Sequence, residues 1–268
     1  MTAGDTVFAG AVPEIYDRYM VPLIFEAYAD DLAGRIAAGS AGDILEVAAG
    51  TGVVTRALAA RLPAVRIVAT DLNPAMLAAA RRRLADPRVT WREADAQDLP
   101  FGDAAFDAVV CQFGAMFFPD KVTAYREARR VLRPGGRFLF SVWGAIADNA
   151  FADTVTEELA ALFPDDPPRF LARTPHGYHD AATIRGQLAE AGFARVAIDT
   201  VARTSRAASP RDVAVAFCHG TPLRGEIEAR GGIGLDDATS AAAEALAGRF
   251  GPGPVEAKMS ALVVTASA

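Results

Sequence analysis

Two glycines and three acids carry the chemistry that can be read in this chain of 268 residues. Glu46 is the one polar side chain in the apolar run Ile44-Leu45-Glu46-Val47, and Gly50 and Gly52 follow directly. A short apolar run ending in turn residues predicts a strand buried on both faces. Glycines where the chain leaves such a strand allow a sharp turn and let a ligand approach the backbone. Val54, Leu58 and Leu62 then share one face of a predicted helix, with Arg56 and Arg61 off it. Strand, turn and helix in this order predict the first crossover of a nucleotide-binding α/β sheet. A phosphate is disfavoured at the turn. No lysine follows the glycines, the sixth position of the dinucleotide glycine pattern is Thr55, and Glu46 adds negative charge. The acid suits a positively charged ligand.

Asp71 ends the second predicted strand, Val65 to Thr70, and lies 19 positions beyond Gly52. That spacing is close to the roughly 20 residues expected of a ribose-binding acid in a βαβ unit. A carboxylate accepts two hydrogen bonds, and vicinal ribose hydroxyls offer two donors. The alternative is a loop or capping carboxylate. Asp95 follows the third strand, 88 to 92, as either a ligand contact or an ordinary turn acid. The chain has three histidines, His176, His179 and His219, and none falls in the half that carries the glycine turn. Histidine titrates near neutral pH and suits a general base. His219, preceded by the apolar Val213 to Cys218 and followed by Gly-Thr-Pro, is the first candidate, and His179 the second. The plainer reading makes all three polar residues of loops and helix ends.

The pattern E-x-A-x-G-x-G over Glu46, Ala48, Gly50 and Gly52 resembles the first motif of class I S-adenosylmethionine-dependent methyltransferases. Ala48 stands where the commonest form of that motif has a glycine. Three further stretches resemble the family in order: Asp71-Leu72 with the helix start Asn73-Pro74, the run Asp95 to Val110 including Phe106-Asp107, and the turn Leu132-Arg-Pro-Gly-Gly-Arg-Phe138. The resemblance implies that Ala48, Gly50, Thr51 and Gly52 face the methionine end of the cofactor. It places Leu72 and Met76 beside the adenine, with Asp95 and Ala96 on its amine and ring. Gln112 and Phe113, ending the fourth strand, would stand where cofactor and acceptor meet. The string Tyr16-Asp-Arg-Tyr19-Met-x-Pro22 is similar to the N-terminal segment of the ubiquinone/menaquinone-biosynthesis type, which closes over the cofactor. Tyr16 and Tyr19 are therefore lid candidates, and core packing is the alternative.

The fold expected is α/β: a Rossmann-like seven-stranded, mostly parallel sheet with helices on both faces, an antiparallel last strand and cap insertions. Residues 1–268 are read as one domain. Residues 13–38 form two helical pieces split near Pro22, 40–143 the cofactor half, and 145–178 and 209–256 insertions over the acceptor. The activity expected is methyl transfer from S-adenosylmethionine to a small apolar or aromatic molecule, leaving S-adenosylhomocysteine. Tyr16, Phe151, Phe163, Phe170 and Phe217 motivate that acceptor, although core packing explains them equally well. A non-catalytic cofactor-binding protein and an NAD-dependent oxidoreductase are the rivals.

Composition bounds the rest. The net charge of −6 disfavours nucleic acid, which wants a basic surface. Arg81-Arg82-Arg83 falls at a predicted helix end, where it offsets the dipole. Two distant cysteines and no ligand-spaced His/Cys/Asp cluster imply a reduced compartment and no metal. No run reaches the roughly 18 apolar residues of a membrane span, so a cytoplasmic protein, monomer or homodimer, is expected.

Overall fold

The computed structural model describes residues 12–39 and 42–268. Residues 1–12, small and irregular as a sequence, therefore lie, but for Val12, outside the described residues. Seven strands form one sheet in the order β3-β2-β1-β4-β5-β7-β6: β1 (Asp43–Val47), β2 (Arg66–Asp71), β3 (Val89–Glu93), β4 (Phe106–Gln112), β5 (Leu132–Trp143), β6 (Arg195–Ala207) and β7 (Val255–Ser267). The pairs β1/β2, β2/β3, β1/β4 and β4/β5 are all parallel. Parallel neighbours need crossover connections. Helices α3 (Val53–Arg61), α4 (Pro74–Arg83) and α5 (Lys121–Val131) supply three of them. Gly144 N donates to Ser260 O and Ala268 N to Gly136 O. Partners that ascend on one strand and descend on the other make β7 antiparallel to β5.

The chain lays β1, β2 and β3 outward in one direction, then returns to place β4 on the other side of β1. In open α/β sheets, ligands bind outside the carboxyl ends of the strands at such a reversal. The opposite end of the sheet is locked by charge. Arg133 reaches Asp107 at 2.7 Å and Asp43 at 3.0 Å, while Asp107 Oδ2 accepts the backbone N–H groups of Gly42 and Asp43. The Arg133 guanidinium holds Asp107 below its ordinary range, and Arg66, helped by Arg133, does the same for Asp43. Asp107 thus ties three strand starts together.

Several elements depart from the sequence expectations. Residues Val12–Ile15 (α1), Tyr16–Phe25 and Glu26–Ala37 (α2) form one unbroken helical run, not two pieces split at Pro22. The middle stretch is π-helical, with Pro22 inside it. Proline lacks the N–H that an α-helix would use, and a wider local winding absorbs the break without ending the helix. Pro134-Gly135-Gly136 does not precede β5 but bulges within it. Pairing moves from Phe106↔Leu132 to Ala108↔Arg137, five residues on β5 against two on β4, and Gly135 has φ +78°. Strands β6 and β7 are each 13 residues long. Helix starts are capped as their sequences direct: Asn73, Asp120, Asp180 and Ser209 each accept a backbone N–H of the first turn.

Two compact units divide the chain. One comprises residues 26–142, 179–200 and 262–268, with α2, α3, α4, α5 and α8 (Ala181–Glu190) beside the parallel strands. In it Tyr125 of α5 stacks on Phe140, and Phe138 meets Phe193. The other comprises residues 12–25, 143–178 and 201–261, and is mainly helical: α6 (Ala150–Leu162), α7 (Phe170–Arg173), α9 (Pro210–His219), α10 (Leu223–Glu228) and α11 (Leu235–Phe250). Phe151, Phe163, Phe170 and Phe217 are buried in this helical unit. No helix among the described residues is long and apolar enough to cross a membrane.

Candidate active site

The carboxyl ends of β1 to β4 lie side by side, because the register pairs Val47 with Thr70, Asp71 with Glu93, and Glu46 with Val110. Gln112 is paired in turn with Ser141 of β5. The glycine turn leaves β1 at this edge. Three of its residues take the left-handed conformation: Ala48 (φ +56°), Gly50 (φ +56°) and Gly52 (φ +81°). Each glycine is required differently. A Cβ on Gly52 would meet the Trp91 ring at 2.7 Å, whereas a Cβ on Gly50 would meet nothing within 4 Å. The space over Gly50 is open, and a ligand can approach the backbone there. Ala48 accepts a conformation that costs a non-glycine residue roughly 1–2 kcal/mol. Its methyl lies against Gly114, where a Cβ would come within 2.5 Å of it.

Asp71 is half-buried at the tip of β2. Its Oδ2 accepts Gly50 N at 2.8 Å and its Oδ1 accepts Asn73 N at 2.8 Å. The carboxylate thus fixes the turn and the start of α4, and each oxygen retains a second lone pair for a further donor. Burial pushes its pKa up, while the two backbone donors pull it down. Beside it, Leu72 is 62% exposed, the one large hydrophobic side chain so exposed among the described residues. Met76, one turn into α4, is buried. Asp95 Oδ1 accepts Gln97 N at 2.9 Å in a turn just past β3, with Ala96 buried next to it. Phe113 completes the edge with φ +52°, its N–H donated to Ser141 O and its ring edge-on to Tyr28 of α2.

Glu46 lies under the turn and is 2% exposed. Its Oε2 accepts the Thr55 hydroxyl of α3 at 2.5 Å. Burial pushes the carboxyl up to about 8, against the pull of the Thr55 hydroxyl and the Arg56 charge. The buried Cys111 thiol on β4 is pushed up to about 12, so it offers no thiolate at neutral pH. No group of three or more His, Cys, Asp or Glu that could hold a metal occurs among the described residues.

A model of the methyltransferase domain family matches residues 44–136, the segment that builds this edge. The ubiquinone/menaquinone biosynthesis C-methyltransferase UbiE of Caulobacter sp. (strain K31) is 30% identical over 218 residues, covering 71% of this chain and 86% of that enzyme. The chain belongs to the class I S-adenosylmethionine-dependent methyltransferases. Solved structures share the methyltransferase's fold at lower identity. Haemonchus contortus phosphoethanolamine N-methyltransferase 2, in complex with S-adenosyl-L-methionine, superposes with a TM-score of 0.62 at 15% identity, over all of this chain and 60% of that one. The [4+2]-cyclase SpnF gives 0.53 at 22% identity, over 91% and 81%.

Three features of the methyltransferase edge fit S-adenosylmethionine. Thr51 Oγ1 is buried at the turn without a hydrogen-bond partner among the described residues, a condition that buried hydroxyls rarely keep unless a ligand or water completes them. Gly50 leaves room above the backbone, and Leu72 presents an apolar surface beside Asp71. The residues that the sequence singled out from Glu46 to Phe113 all belong to one unit. Tyr16 and Tyr19 belong to the other, where Tyr16 stacks on Phe25 and Arg18 lies over the Tyr19 ring.

The histidines divide likewise. His179 is exposed just before α8. His219, in the helical unit, ends α9 with its Nε2 2.9 Å from Thr239 Oγ1 of α11. Thr239 donates to Leu235 O, so it accepts from His219 Nε2–H, and Nδ1 keeps the lone pair. Burial holds the His219 pKa below its ordinary value. His176, in the same unit, is buried, with Nδ1 2.9 Å from Gly144 O. Sequence reasoning passed over two side chains. Thr55 was noted only as a missing glycine, yet it is the donor to Glu46. Ser141, buried with no hydrogen-bond partner for its hydroxyl among the described residues and paired with Gln112, was the lone hydroxyl in the apolar run Phe138 to Trp143.

Proposed function

We propose that this methyltransferase moves the methyl group of S-adenosylmethionine by in-line displacement to a small aromatic acceptor. The cofactor supplies a methyl on a positive sulfur, already electrophilic. The protein's task is then mostly alignment. In this reading Gly50, Gly52 and Thr51 seat the methionine end, with Ala48 shaping the turn and Glu46 beneath it. Asp71 takes the ribose hydroxyls, Leu72 and Met76 flank the adenine, and Asp95 and Ala96 meet its amine and ring. Gln112 and Phe113 stand at the methyl, and Tyr16 and Tyr19 form a lid that excludes water.

The observation that carries the acceptor class is the relation to the Caulobacter enzyme across most of both chains, since that enzyme's name places it in quinone biosynthesis as a C-methyltransferase. Aromatic side chains do not add to this, because Phe151, Phe163, Phe170 and Phe217 are core residues. A phenolic acceptor must lose a proton before or during transfer. His219 is the proposed base and His179 the second candidate. The supporting observation is a neutral His219 ring whose Nε2–H is committed to Thr239, which leaves Nδ1 to accept.

The test is turnover with S-adenosylmethionine and a panel of hydroxylated benzenoid and naphthalenoid acceptors, following S-adenosylhomocysteine and the mass of the product. We expect a product heavier by one methylene unit, with the label on carbon. Methylation only of amines or thiols in a parallel panel overturns the acceptor class.

A further inference from the structure

Ser141 is buried near the end of β5, and its Oγ bonds none of the described residues. A buried hydroxyl in that state costs stability unless a ligand or water completes it. The strand fixes which way it faces. Phe138 and Phe140 pack on Tyr125 of α5. Side chains alternate along a strand, so Ser141 lies on the opposite face with Arg137, which reaches the carbonyls of Arg35 and Ile36 late in α2. Four strand residues rise about 13 Å and nine helix residues about 13.5 Å, which sets Ser141 level with the first turn of α2. There Tyr28 meets the Phe113 ring edge-on, and Phe113 N donates to Ser141 O. Gln112, paired with Ser141 across β4 and β5, is partly exposed, so this face opens beside the hydroxyl.

The sheet order β3-β2-β1-β4-β5 puts Asp71 and the turn at Asp95 on one side of β1 and Ser141 on the other. Two strand spacings, about 9–10 Å, separate β5 from β1. A nucleoside seated on Asp71 therefore extends away from β5, and what lies beyond β4 is the acceptor. We propose that the Ser141 hydroxyl hydrogen-bonds the oxygen of the acceptor and selects ring acceptors bearing a hydroxyl over the same rings without one. This rests on the reading of Gln112 and Phe113 as the place of methyl transfer to a phenolic ring. A serine hydroxyl donates one hydrogen bond and accepts others, so it holds a phenol or its phenolate equally. A ring held by its oxygen keeps the neighbouring carbon in one position, as in-line transfer to carbon requires. A ring without the oxygen leaves the buried hydroxyl unpaired, and sites built to bond a hydroxyl reject such analogues.

The test is titration calorimetry on the protein saturated with S-adenosylhomocysteine. Its probes are the phenol of the acceptor panel that is methylated fastest and the same ring lacking the hydroxyl. We expect the parent to favour the phenol by about tenfold or more. In Ser141→Ala that preference should shrink to about threefold or less, with affinity for the bare ring and for S-adenosylhomocysteine unchanged. The unliganded variant should unfold in urea no earlier than the parent, because the deleted hydroxyl bonds none of the described residues. Ser141→Cys, of similar size with a poor donor, should lose the preference too, and it decides the matter if the alanine variant folds poorly. No preference in the parent, a preference kept in the variants, or equal weakening toward both rings overturns the inference and leaves the acceptor class standing. A parent that binds S-adenosylhomocysteine but methylates no phenol of the panel overturns the acceptor class, and this inference with it.

Discussion

At the scale of single residues, the turn is a set of mutual accommodations. Ala48 is left-handed with its methyl against Gly114, and Gly114 is confined by that methyl and by Cys111 Sγ, which a Cβ would approach to 2.8 Å. Gly114→Ala should therefore cost about 1–3 kcal/mol by overpacking. Ala48→Gly should return part of that, so a double-mutant cycle read by urea unfolding should give a coupling of about 1 kcal/mol. Additive effects would mean that the two do not share the space. Asp71→Ala should weaken S-adenosylhomocysteine binding by about 1.5–3 kcal/mol, the scale of hydrogen bonds to a charged group. Calorimetry on the folded variant giving the parent's affinity would remove Asp71 from the ribose. Glu46 adds a pH dependence to stability. Below its ordinary pKa of 4.5 it is protonated folded or unfolded; above that the unfolded chain ionises, while the folded one stays neutral to about 8. Folded stability is thus lost progressively as pH rises across that window. Asp71, also raised by burial, works in the same direction, so the parent must be compared with Glu46→Gln. The parent should lose stability relative to the variant between pH 5 and 8.5, and a constant difference would show Glu46 already ionised.

At the scale of elements, the site depends on where strands stop. Parallel register brings the ends of β1, β2, β3 and β4 level, so residues as remote in the chain as Glu46 and Val110 meet at one edge. Trp91 of β3 reaches back to the turn after β1, which is why Gly52 cannot carry a side chain. In the helical unit, the bond from His219 to Thr239 joins the end of α9 to α11. If Nδ1 is the base, His219→Ala lowers turnover by on the order of a hundredfold with S-adenosylhomocysteine affinity unchanged. Because burial lowers its pKa, the rate of the parent should rise with pH and pass its half-maximum below about 6.5, the ordinary histidine value. An unchanged rate and profile would reduce His219 to a tie between two helices.

At the scale of the whole molecule, the two units are interleaved along the chain. It passes between them after residues 25, 142, 178, 200 and 261, and both β6 and β7 run from one into the other. Neither unit can be excised as one continuous segment. We expect one calorimetric unfolding transition, raised in midpoint by S-adenosylhomocysteine, which at a hundred times its dissociation constant adds about 2.7 kcal/mol. Two resolved transitions, with only one moved by the ligand, would show that the units unfold separately. The same layout bears on testing the lid. A cut after residue 28 would remove Tyr28, which packs on Phe113 in the cofactor-edge unit, so single substitutions of Tyr16 and Tyr19 are the cleaner probes.

The amino-acid sequence alone determined the order of strands and helices from Ile44 to Trp143, the glycine turn and the acid at Asp71. Each is written in residues close together: an apolar run, two glycines, a proline at a helix start, a fixed interval of 19. Strand periodicity and turn chemistry act over a few residues, so they remain legible without the fold. What only the tertiary structure decided depends on neighbours remote in sequence. Pro22 breaks no helix because its flanks pack on as one π-wound run. Ala48 and Phe113 are left-handed at the ends of β1 and β4, which nothing in their own residue types foretells. Glu46, which the sequence presents as a charge ready for a cationic ligand, has its pKa pushed up to about 8 by burial. A carboxyl group's charge is set by how much water and which partners surround it, and those are fixed only when β1 is closed in between β2 and β4.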